Sequence, residues 1–95
     1  MENGQAYKEI IEKIMESKIG LFGNFAVYVA RATPGLELDN SGRVISLPEN
    51  SKEVIHQLLL RFEDKAGKVS TLAVRTLIAE LKNKYPGLGL PEELM

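Results

Sequence analysis

Cysteine is absent from this chain, and histidine occurs once. Without cysteine there are no disulfides, no thiolate metal sites and no cysteine nucleophile, which fits a reducing compartment. A lone histidine leaves a catalytic zinc site short of ligands. No charge predominates either: twelve basic and thirteen acidic residues leave a net charge of -1. There is thus no global basic field, and any contact with nucleic acid must rest on a local patch. No apolar run approaches the length of a membrane span. The polar opening "MENGQAYKEI" lacks a secretory core. The expectation is a cytoplasmic protein with no membrane contact.

What is present is the balance of a globular domain. Of the 95 residues, 44% are hydrophobic and 26% are charged. That length and balance predict a single small globular domain over 1–95. No internal repeat or low-complexity segment breaks it up.

Periodicity predicts a first helix over 6–19. Tyr7, Ile10, Ile11, Ile14, Met15 and Lys18 recur at steps of three and four. Glu9, Glu12, Lys13 and Glu16 occupy the other face, and Glu9–Lys13 has helical ion-pair spacing. Gly20 is expected to end it. The next segment, 21–33, reads as a second helix. Leu21, Phe22, Phe25, Ala26, Val29 and Ala30 form one face, and Val27 and Tyr28 add apolar surface beyond it. Thr33-Pro34-Gly35 stops it.

"GLELDNSGRVISLP" reads as a β-hairpin. Leu38 is expected opposite Arg43 and Leu36 opposite Ile45, with Gly42 supplying a positive φ in the loop. A third helix follows within 48–67. Asn50 and Glu53 stand at capping-box spacing, Val54, Ile55, Leu58, Leu59 and Phe62 face inward, and Gly67 is the stop. A fourth begins at a Ser70 cap and carries Val74, Leu77, Ile78, Leu81 and Tyr85 on one side. The tail is expected along the surface, held by Leu88 and Leu90. The fold class is therefore mainly α (α+β): four helices with one β-hairpin inserted between the second and third.

Little here points to catalysis. The glycines lack phosphate-loop spacing. Asp39, Asn40 and Ser41 could ligate calcium, but the twelve-residue loop with its closing glutamate is missing, so they read as a turn. Glu63-Asp64 and Glu92-Glu93 are sequence neighbours, which do not form a dyad on a helix. No serine or threonine has a base to match it except His56. His56, on a helical hairpin, resembles the phosphoacceptor histidine of sensor kinases. That family has an acidic residue next, where this chain has Gln57, and His56 reads instead as a surface or half-buried side chain. The expectation is no enzyme, no cofactor and no metal.

Two binding hypotheses remain. The apolar second helix has more hydrophobic surface than so small a domain readily buries. It predicts an interface with a protein partner or with a second copy, in a homo-oligomer. Phe22, Phe25, Tyr28 and Val29 are the candidate contacts, the aromatics being its anchors. The alternative lies in "GKVSTLAVRTL". Gly67, Val69, Ser70, Val74 and Leu77 resemble the turn and second helix of a helix-turn-helix. That resemblance implies a DNA-binding regulator. Ser70 would then open the reading helix, Thr71, Leu72, Arg75 and Thr76 would project toward base edges, and Arg61, Lys65, Lys68, Lys82 and Lys84 would meet phosphates.

Overall fold

Isoleucines at helical spacing drive the longest element. The computed structural model describes residues 2–94, in which α1 runs Glu2–Phe22. It buries Ile10, Ile11, Ile14 and Met15 completely or nearly so, as the period predicts. The helix does not stop at Gly20. That glycine is exposed with open space around it, and an isolated glycine weakens a helix by only about 1 kcal/mol relative to alanine. The break comes at Gly23, with φ 63 and ψ -146, a region closed to residues bearing a Cβ. Its amide still donates to the Ile19 carbonyl at 2.8 Å. Phe22 therefore belongs to α1, and α2 is shorter than expected, Asn24–Arg31.

The inward side of α2 is Ala26, Val27, Val29 and Ala30. Val27 is thus a core residue rather than part of an outer face. Phe25, placed inward from its spacing, is on the outside together with Tyr28 and Leu21.

The hairpin forms between α2 and the next helix, with β1 (Glu37–Leu38) and β2 (Val44–Ser46) antiparallel. Its register is not the expected one: Leu38 pairs with Val44 and Glu37 with Ser46, with an irregularity between them. The Asp39 carboxylate explains the shift. Its Oδ1 accepts from the amides of Ser41 at 2.8 Å and Arg43 at 2.9 Å, which takes one more residue into the loop. Leu36 and Leu38 still reach the core, but Ile45 is 65% exposed and half-buried Val44 takes the inner position. Gly42 does have a positive φ, 85°, and also lies close against α1. A Cβ there would stand 2.7 Å from the Ile19 side chain. The Val44 amide donates to Glu12 Oε2 at 2.9 Å, tying the hairpin to α1.

The third helix, α3 (Ser51–Ala66), turns Val54, Ile55, Leu58, Leu59 and Phe62 inward, as its period predicts, and ends before Gly67. The Asn50–Glu53 box does not form. Asn50 makes no side-chain cap, Glu53 accepts from Gln57 at 2.8 Å, and Ser51 donates to the Pro48 carbonyl at 2.9 Å.

The predicted fourth helix is two: α4 (Val69–Leu77) and α5 (Ala79–Lys84), parting at Ile78. Ser70 lies inside α4 and caps nothing. Val74 and Ile78 are both fully buried. Beyond this break α5 lies against α1, where Lys84 and Tyr85 meet Glu9. No glycine or proline marks the break. The tail closes against α4 in a 3-10 turn, Glu92–Leu94. Leu90 and Leu94 are core residues rather than surface anchors, and Leu88 is half-buried. The fold is mainly α with a hairpin between the second and third helices, and the described residues form five α-helices where four were expected. No helix among the described residues is long and apolar enough to cross a membrane.

Candidate functional site

Breaking the chain at Gly23 fixes how α2 sits. With Ala26, Val27, Val29 and Ala30 facing in, positions 25 and 28 face out, three residues apart on one side. Phe25 is 47% exposed and Tyr28 75%. Their rings stack on each other, centroids 6.0 Å apart and planes 23° apart. The pair borders a cleft of about 760 Å³ between α2 and α3, completed from α3 by Leu60, Arg61, Asp64 and Lys65 and from the end of α2 by Arg31.

The other two interface candidates are not exposed. Val29 is buried, and its edge contributes to the cleft wall. Phe22 is half-buried and stacks on Phe62 at 6.3 Å. The four residues named from sequence therefore divide into two that face solvent and two that hold the helices together.

The cleft is cationic. Arg31, Arg61 and Lys65 border it against the one carboxylate of Asp64. Arg31 Nη2 donates to the Leu38 carbonyl at 3.3 Å and to Asn40 Oδ1 at 2.9 Å, both neutral acceptors. Arg61 Nε is buried with no acceptor among the described residues. Neither guanidinium has a carboxylate partner in the described ion pairs, and Lys65 is 4.0 Å from Asp64.

The helix-turn-helix residues are scattered. Ser70 and Thr71 are buried. Ser70 Oγ accepts from Lys18 at 2.5 Å, and Thr71 Oγ1 donates to Glu63 Oε2 at 2.5 Å. Lys68 is exposed at the start of α4. Arg75 and Lys82 line a shallow groove with Leu72 and Thr76. Lys82 is partly engaged, donating to the Leu94 carbonyl at 3.0 Å. Of the residues expected at base edges, Thr71 bonds within the fold, as does the helix-opening Ser70, while Leu72, Arg75 and Thr76 are at the surface together with Lys68.

His56 Nδ1 lies 2.5 Å from Glu93 Oε2, joining α3 to the closing 3-10 turn. The depression around them is lined by Asn50, Lys52, Glu53, Pro91 and Glu92, without a serine, threonine, tyrosine or cysteine to activate. The described residues contain no group of three or more metal-ligating side chains.

Two polar clusters were not foreseen. Lys18 ends the inward stripe of α1 and is 0% exposed. Its ammonium donates to Ser70 Oγ and to the Ser70 carbonyl at 3.0 Å, and lies 5.8 Å from the Phe62 ring centroid. Burial pushes its pKa down. The signal was visible, since its spacing had already put Lys18 in the apolar stripe. The second cluster centres on Glu9, which accepts from the Tyr85 hydroxyl, Gln5 and Lys84 rather than pairing with Lys13. Lys13 bonds Glu16 instead at 3.3 Å. The Tyr85 and Gln5 hydrogen bonds hold the Glu9 carboxyl below its ordinary pKa, and Glu9 in turn raises Lys84 and Tyr85. The Lys84 and Tyr85 contacts span 75 and 76 residues of sequence, so periodicity carries no sign of them.

Comparison with protein-family models, with curated proteins and with solved structures found no match for this chain.

Proposed function

We propose that this chain is a non-enzymatic binding module that engages a protein through the outer face of α2. One observation carries the reading: Phe25 and Tyr28 stand stacked and exposed beside a cleft. Exposed aromatics beside a partly apolar cleft are the usual make-up of a binding hot spot. The absence of cysteine supports a cytoplasmic setting as part of the same reading. The DNA-binding alternative is weaker, because Ser70 and Thr71 bond inside the fold.

The test is a peptide-display selection on the wild-type chain and on Phe25→Asp/Tyr28→Asp. The reading expects binders that the double variant no longer holds, with its circular dichroism unchanged. Binders indifferent to the two substitutions would remove α2 as the contact. An unfolded Phe25→Asp would mark that side chain as part of the core.

A further inference from the structure

We infer that the partner segment is acidic and amphipathic, not a second copy of the same face; this rests on the reading above and names its occupant. The chain as a whole carries a net charge of -1, yet the α2–α3 cleft has Arg31, Arg61 and Lys65 against Asp64 alone. Positive charge is therefore concentrated around the exposed aromatic pair. It is also uncompensated, since neither arginine has a carboxylate partner among the described residues.

That charge distribution selects between occupants. In a symmetric homodimer the same patch meets itself. Pairing this cleft with its own copy would set three cations and one carboxylate against the same set, an excess of positive charge on both sides over an apolar floor, where desolvation strengthens the repulsion. A segment with carboxylates flanking its apolar residues meets the opposite field. Its leucines or aromatics would cover Phe25, Tyr28 and Leu60 while its carboxylates answer the guanidiniums with charge-assisted hydrogen bonds. Single-stranded nucleic acid could use the same cations and rings. The aliphatic Leu60 and Val29 beside the rings, and the acidic remainder of the chain, favour the peptide. The cleft is short. The eight residues of α2 span roughly 12 Å, so about two helical turns of a partner would cover it. An interface of that size is small, at the low end of the range for specific protein contacts.

The experiment extends the display selection to its sequences. A random library of about twelve residues, roughly three helical turns, is depleted on Phe25→Asp/Tyr28→Asp and then selected on the wild-type chain. The expected winners combine aspartate or glutamate with apolar residues at helical spacing. As a labelled peptide, the best winner should bind about tenfold more weakly to Lys65→Glu, and weaken as salt is raised. A copy with lysine at its acidic positions should fail on the wild-type chain, a readout that requires no variant to fold. Neutral or basic winners, or winners indifferent to Lys65→Glu and to salt, would overturn the acidic partner while leaving α2 a docking face. Sedimentation showing a dimer that Tyr28→Asp dissolves would do the same in favour of a second copy. Tyr28-dependent binding of an oligo-dT strand in place of peptides would overturn it in favour of nucleic acid. No winner that distinguishes the wild type from the double variant would remove both the inference and the reading beneath it.

Discussion

Lys18 is the residue whose chemistry departs furthest from its surroundings. An ammonium buried among apolar side chains is costly unless hydrogen-bonded, and Ser70 supplies two acceptors, its hydroxyl and its carbonyl. An amine whose pKa falls on folding makes stability greatest above its ordinary value, 10.5, and the benefit is lost as pH falls through the lower folded value. Thermal unfolding of the wild type should therefore gain on Lys18→Met between pH 7 and about pH 10. Met fills the space of the lysine stem but leaves both Ser70 oxygens without their donor. A gap that stays constant with pH would show that the amine does not lose its proton within the fold. Glu9 titrates at the other end of the scale. Its folded pKa lies below 4.5, so its contribution is present above that value and lost as pH falls through the folded one. The urea midpoint of the wild type should exceed that of Glu9→Gln at neutral pH, and the difference should shrink on acidification through this window. Equal acid profiles would leave the Tyr85 and Lys84 contacts without energetic weight.

At the scale of elements, Gly23 decides more than any other position between the first two helices. Its backbone occupies a region that other residues rarely enter, yet nothing lies within 4 Å of an added Cβ. The cost of Gly23→Ala is thus purely one of backbone strain, about 1–3 kcal/mol, measurable as a lowered urea midpoint. A neutral substitution would mean that α1 and α2 can join without that turn. The closing 3-10 turn is a second such element. Leu94 is 0% exposed, so Leu94→Ala is expected to remove about 2–5 kcal/mol. An effect well below that would mean the tail is dispensable to the core. Neither was read correctly in advance: the helix break was expected at Gly20 with Gly23 inside the second helix, and Leu88 and Leu90, not Leu94, were the expected tail anchors. Both glycines stand in open space, and only the backbone conformation, with φ 63 at Gly23, separates them.

On the scale of the whole molecule, burial and exposure are sharply divided along α2. Phe62 is fully buried, stacks on Phe22 and lies beside the Lys18 ammonium. Phe62→Ala should cost about 3–5 kcal/mol, enough to lower the melting temperature of a domain this size by well over 10 °C at roughly 4–8 °C per kcal/mol. Phe25→Asp/Tyr28→Asp, in contrast, should leave the melting temperature within a few degrees, because substitutions at exposed sites are usually worth less than about 0.5 kcal/mol. If the two variants melted alike, the outer aromatic pair would belong to the core.

Taken alone, the sequence determined the class of fold, the inward faces of α1 and α3, the place of the hairpin and the stop at Gly67. Each of these follows from a period or a local turn, which neighbouring residues specify among themselves. Only the tertiary structure decided the hairpin register, the division of the fourth helix at Ile78 and the outward turn of Phe25. The register depends on which backbone amides donate to Asp39, and the end of α5 is held by Glu9, far away in the chain. The cationic cleft also required three dimensions. Arg31 and Lys65 are 34 positions apart by number, and only the packing of α2 on α3 brings them to one rim, beside the rings they would help a partner to find.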